Sequence, residues 1–141
     1  MRAKRLFPSD RLVHRAVDLV LSFAVPRSAA CIGALMDAAT KDEMVQRSGI
    51  CSLGHLAKHG GVAWRGATNT AVNRILRALQ QHKGSAALQA SGLWALGRLA
   101  ERLEAPGGGM QDAAQRAKQL HPDSALVQRH ADELIAFLLR P

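Results

Sequence analysis

The amino-acid sequence predicts an all-α fold, a right-handed α-solenoid of helical pairs stacked in register. Three observations lead to it. The stretch Leu88–Ala100, LQASGLWALGRLA, places Leu88, Gly92, Ala95, Leu96 and Leu99 on one helical stripe. The pattern recurs 43 residues earlier at Val45, Gly49, Ser52, Leu53 and Leu56, and 39 residues later at Val127, Ala131, Leu134, Ile135 and Leu138. A further copy opens the chain, with Val13, Val17, Val20, Leu21 and Ala24 in phase. A period near 40 residues is the mark of a helical-repeat array. Finally, no segment alternates with period two, and aromatic residues make up only 4% of the chain, which leaves little material for a sheet.

The approach to each copy also recurs. His82 to Ala86 (HKGSA) matches His121 to Ala125 (HPDSA), and Phe7 to Asp10 (FPSD) stands before the first copy. Pro, Gly, Ser and Asp end one helix and cap the next. Two columns stay small: Val17, Gly49, Gly92 and Ala131, then Ser22, Gly54, Gly97 and Ala136. Glycine inside a helix costs about 1 kcal/mol relative to alanine. Its recurrence at one phase predicts that another backbone comes close there.

Taken in order, Met1 to Phe7 is a short basic lead. Ser9 or Asp10 caps a helix that Pro26 stops. This helix has no earlier partner, so the chain reads as a piece of a longer array. A second helix spans Ser28 to about Ala39 on the seam Ile32, Leu35 and Met36. Thr40 or Asp42 caps the third, which ends at Gly60 and Gly61. Residues 62–68 read as irregular or a single turn, with Trp64 as a plug between units. Asn69 or Thr70 caps a helix to Gln81 that turns Val72, Ile75, Leu76 and Leu79 inward. The helix opened by Ser85 runs to about Leu103. Pro106 to Gly109 reads as a flexible loop. Helices over 110–120 and 124–139 complete the chain, the former with the thinnest apolar face. The domain reading is one repeat domain over 1–141: a partial repeat at 8–25, then repeats at about 26–61, 62–105 and 106–141.

ASGLWALGRLA, with its Trp-Ala-Leu core and trailing Leu-Ala, resembles the last helix of an armadillo repeat. The His-Pro-Asp-Ser type of turn before such a helix is similar to divergent armadillo-like and HEAT-type arrays. The resemblance runs from about Pro8 to Leu139 and is specific at Leu88–Ala100. It implies a protein-binding scaffold with a concave groove and no catalytic role. In peptide-binding armadillo proteins an asparagine follows the tryptophan by four residues. Here that place is Arg98, and the copies have Phe23, His55 and Phe137. The asparagine ladder that grips an extended peptide is therefore missing.

Nineteen Lys and Arg against eleven Asp and Glu leave a formal charge of +8. That balance favours an acidic partner, either a protein segment or a nucleic-acid backbone. Cys31 and Cys51 fit a reduced, intracellular setting, cytoplasmic or nuclear. No apolar run approaches the roughly 20 residues of a membrane span. Arg2, Lys4, Arg5, Arg11 and Arg15 have the look of an organelle transit peptide, whereas Asp10 and Asp18 argue against one.

Steps of four from Trp94 give Arg98 and Arg102; the copies give Phe23 and Arg27, then Cys51, His55 and His59, then Glu133 and Phe137. Three of the five aromatic residues fall on this column, and aromatics with arginine are the usual makings of a binding hot spot. The candidate concave-face residues are Phe23, Arg27, His55, Trp94, Arg98, Arg102 and Phe137. The competing reading makes the aromatics fillers between units. Cys51, His55 and His59 have the i, i+4, i+8 spacing of zinc ligands but lack an obvious fourth, so they remain weak metal candidates. No cofactor is expected: the glycines at 107–109 lack the lysine and Ser/Thr of a phosphate-binding loop. No nucleophile–base pair or paired carboxylates point to an enzyme. Arg74, Arg77 and Lys83 with Arg98 and Arg102 form a basic stripe, the basis of an alternative RNA-binding reading. Ile135, Leu138 and Leu139 leave an apolar end open to self-association.

Overall fold

In the computed structural model, residues 29–59, 67–104, 106 and 108–140 are described. Among them the chain forms six helices and no strand. These are α1 (29–38), α2 (Glu43–His59), α3 (Thr68–Gln81), α4 (Ala86–Ala100), α5 (Gly108–Leu120) and α6 (Ala125–Leu138). The first copy of the repeat, residues 8–25, lies outside the described residues.

The helix starts follow local chemistry. Asp42 Oδ1 accepts from Val45 N at 3.1 Å, Ser85 Oγ from Leu88 N at 3.1 Å, and Ser124 Oγ from Val127 N at 3.3 Å. Each satisfies an amide that a helix start leaves without a partner. Three boundaries differ from expectation. Helix α3 begins after Ala67 without a side-chain cap; Asn69 and Thr70 already lie in its first turn, and Thr68 is buried. Helix α4 ends at Ala100, three residues before Leu103, and a turn follows. Gly108, expected in a loop, opens α5.

The helices form three pairs, α1 with α2, α3 with α4 and α5 with α6. The second members of the pairs pack in one layer, α2 against α4 and α4 against α6, and α3 packs against α5. The apolar stripes meet between the layers. Leu53, Leu88, Leu96, Leu99 and Val127 are all essentially sealed from solvent, and Ile135 is half-buried against the same core. Truncating one such leucine to alanine costs about 2–5 kcal/mol.

One polar contact closes every pair in the same way. Gln46 Nε2 donates to the carbonyls of Met36 (2.8 Å) and Ala39 (2.9 Å). Gln89 Nε2 donates to those of Leu79 (2.9 Å) and His82 (3.0 Å). Gln128 Nε2 donates to those of Lys118 (3.0 Å) and His121 (3.1 Å). The acceptors sit ten and seven residues upstream each time, at the end of the pair's first helix, where carbonyls lack intrahelical partners. Gln46 and Gln89 are buried, so the amide is held where an unpaired polar group would be costly.

A second set ties pair to pair. His82 Nε2–H donates to the Thr40 carbonyl at 2.8 Å, and His121 Nε2–H to the Lys83 carbonyl at 2.6 Å. Arg77 approaches Asp37 at 3.8 Å, and Arg116, at the matching place one pair later, donates to Gln80.

What the small columns face is a side chain, where the sequence suggested a backbone. A Cβ on Gly49 would lie 2.6 Å from Met36 Cγ, and one on Gly92 would meet Leu79 Cδ2, in each case the first helix of the same pair. In the second column the neighbours diverge. A Cβ on Gly54 would strike the Trp94 ring, whereas one on Gly97 would meet nothing within 4 Å.

Candidate functional site

The expected face is the outer side of the α2–α4–α6 layer. Residues four apart on a helix lie one above the other, so the column read from Trp94 becomes a continuous strip across three helices. Trp94 is half-buried, its ring seated over Gly54 and 5.1 Å from the His55 ring, at a tilt of 59°. Arg98 Cζ is 6.0 Å from the Trp94 ring centroid, at the outer limit of a cation–π contact. Arg98 also approaches Glu101 at 3.8 Å, and its side chain is 43% exposed. That loose pairing leaves its charge available at the surface.

Trp94, Arg98 and Phe137 come together around a cleft of about 160 Å³ between α4 and α6. Leu93 and Leu134 form its buried apolar wall, Gly97 part of its lining, and Glu133 and His130 its edge. Arg140 Cζ lies 4.3 Å from the Phe137 ring centroid. An Arg129 hydrogen bond at 3.2 Å, with His130 alongside, holds the Glu133 carboxyl below the usual carboxylate range. His130 Nδ1 is buried without a hydrogen bond, and Glu133 Oε2 lies 3.4 Å away. On the other side of Trp94 a broader, open trough of about 410 Å³ is lined by Arg47, Cys51, His55, Ser91 and Leu126. Trp94 and His130 border both hollows.

The remaining candidates fall elsewhere. Arg102 turns back to donate to the Ala57 carbonyl, Nε at 2.6 Å, and so joins α4 to the end of α2. Burial lowers the Arg102 pKa from its ordinary value. Phe23 and Arg27 lie outside the described residues. Cys51 and His55 share a face of α2; the His59 side chain is not among those described. Among the described residues no three His, Cys, Asp or Glu side chains converge as a metal site would require.

Of the basic stripe, Arg74 is bound to Asp37 by Nε at 3.2 Å and Nη2 at 3.0 Å, with Arg77 beside it. The Arg74 hydrogen bonds hold the Asp37 carboxyl below its ordinary range. These two arginines therefore join α3 to α1. Leu120, Leu126 and Leu139 of the last pair are exposed, as are Leu35 and Met44 of the first. No helix among the described residues is long and apolar enough to cross a membrane.

Arg47 and His130 are additions to the sequence-derived site, whereas Glu133 already stood on its column. Arg47 stands four residues before Cys51, in phase with the column, and that spacing was the available signal. His130 is one turn before Glu133 and gives no such signal. No protein-family model, curated protein or solved structure matches the chain.

Proposed function

We propose that this chain is a non-catalytic interaction scaffold, a short right-handed stack of armadillo-like pairs that binds an acidic protein segment along the α2–α4–α6 face. One observation carries the reading: the Trp94-centred strip joins a cleft lined by both apolar and charged side chains to an open trough, with Arg47 and Arg98 exposed along it. Aromatic and arginine side chains beside a partly enclosed hollow are what interface hot spots are made of. The +8 charge favours an acidic partner and speeds its encounter. The three glutamine clamps in identical register support a repeat architecture, since independent helices would not reproduce both acceptors at both offsets.

The test is charge reversal on exposed positions that fill no gap in the core. Arg47→Glu with Arg98→Glu should weaken capture of immobilised acidic peptides by about tenfold or more, while far-ultraviolet circular dichroism stays unchanged. Undiminished capture would remove this face as the binding surface. Single-stranded RNA bound more tightly than any acidic peptide, with a steep loss on added salt, would select nucleic acid instead.

A further inference from the structure

The repeat contains its own template for what the cleft between α4 and α6 accepts. Between α2 and α4, the Trp94 ring fills the space over Gly54. One unit later the same two places are occupied by Glu133 and Gly97. Glu133 is exposed and engaged by Arg129, so no ring covers Gly97, and the space above it is open. The α4–α6 interface therefore lacks the one large side chain that its neighbour has. The hollow, at about 160 Å³, is well below the roughly 300–1,000 Å³ of a drug-sized ligand site. It suits a single side chain.

We propose that the cleft over Gly97 is a specificity pocket for one aromatic side chain, carried by an acidic segment of a protein partner. This rests on the binding-face reading above and adds the residue type that the face selects. Leu93 and Leu134 form the closed floor of the cleft, and the half-buried Phe137 and Trp94 supply the ring surface that an inserted aromatic meets. Acidic residues flanking the aromatic meet Arg98 at the mouth of the cleft and Arg47 along the trough beyond Trp94. Glu133 and Glu101 stand on the cleft's edge, each already paired with an arginine. The charge preference of the site comes from the loosely paired Arg98, from Arg47 and from the basic surface as a whole, while the pocket itself selects shape.

The experiment compares two peptides by isothermal titration calorimetry, acetyl-Glu-Glu-Trp-Glu-Glu-amide and the same peptide with alanine at the centre. The tryptophan peptide should bind wild type about tenfold more tightly, a difference of about 1.4 kcal/mol. Two variants close the pocket from opposite sides. Glu133→Trp places a ring where Trp94 stands one unit earlier, and Gly97→Leu fills the cleft from α4. Each should remove the tryptophan advantage and leave the alanine peptide's affinity within about twofold, with the thermal transition retained. An advantage that survives in both variants overturns the pocket. Equal binding of the two peptides to wild type, abolished by Arg98→Glu, overturns the pocket and leaves the binding face standing. Failure of both peptides to bind overturns both.

Discussion

The α2–α4 and α4–α6 interfaces are built on one plan and finished differently. Each joins second helices of adjacent pairs, each is flanked by a histidine that reaches the preceding turn, and each has glycine at the same place on the earlier helix. In the first, Trp94 lies over Gly54 and the space is closed. In the second, Glu133 stands where the tryptophan would be, and Gly97 faces a hollow. The same glycine column thus has two meanings. At 54 it makes room for a ring that belongs to the fold, and at 97 it makes room that the fold leaves open. A single large-to-charged difference in one column turns a packing contact into a candidate binding pocket.

The largest effect that would break this comparison is loss of the ring itself. Trp94→Ala should destabilise the protein by about 3 kcal/mol in chemical denaturation, because it empties the space over Gly54. Glu133→Ala, at the matching place, should change stability by no more than about 0.5 kcal/mol, as surface changes do. Equal effects would mean that the two interfaces do not differ as described. Next come the clamps. Gln89→Leu leaves the buried Leu79 carbonyl without its side-chain donor, whereas the His82 carbonyl keeps the Ser85 amide, and should cost about 2 kcal/mol. Gln128→Leu should cost less, because Gln128 is only half-buried and water can reach its acceptors.

The glycines sharpen the contrast by sign. Gly54→Ala should destabilise by about 1–2 kcal/mol, since its methyl meets an aromatic ring that cannot fold away. Gly97→Ala should stabilise by about 0.5–1 kcal/mol, the helix-propensity gain with nothing to collide with. Thermal melts of the two variants decide it, and the same sign for both would remove the distinction.

The smallest effect lies between the first helices. The folded-state pKa of Asp37 is depressed by Arg74, so its contribution is present above the unfolded carboxylate range and is lost as pH falls through the folded value. Asp37→Asn should lower the melting temperature by about 1–3 °C at pH 7, as expected for a largely exposed pair. The gap between variant and wild type should begin to close below about pH 4.

Much of this was legible from spacing. The copies at Val45, Leu88 and Val127 place each second helix, and Asp42, Ser85 and Ser124 mark its start, because caps and apolar stripes are local properties. The convergence of Trp94, Arg98 and Phe137 was also readable, from steps of four on one helix and a shift of one unit. Other features were hidden for physical reasons. A glutamine on a helix ordinarily reads as a solvated residue, so the column Gln46, Gln89 and Gln128 carries no signal of a clamp, although it recurs in three of the four copies, the first having His14 there. Arg102 shares the helical phase of Arg98, yet it folds back onto Ala57, a choice set by the neighbouring helix end. The hollow over Gly97 depends on what is missing from α6, and a missing ring gives no signal in a single helix.

The clamp spans ten and seven residues in all three pairs, whereas the distance from one glutamine to the next is 43 residues and then 39. Each hairpin therefore carries its own internal ruler, and the four-residue discrepancy is absorbed elsewhere in the unit. Such a design lets a unit be copied, lost or re-spaced during evolution without re-tooling the bend inside it. Length changes should accordingly be tolerated between His59 and Thr68, or between Ala100 and Gly108, and rejected inside the bends at 40–42, 83–84 and 122–123.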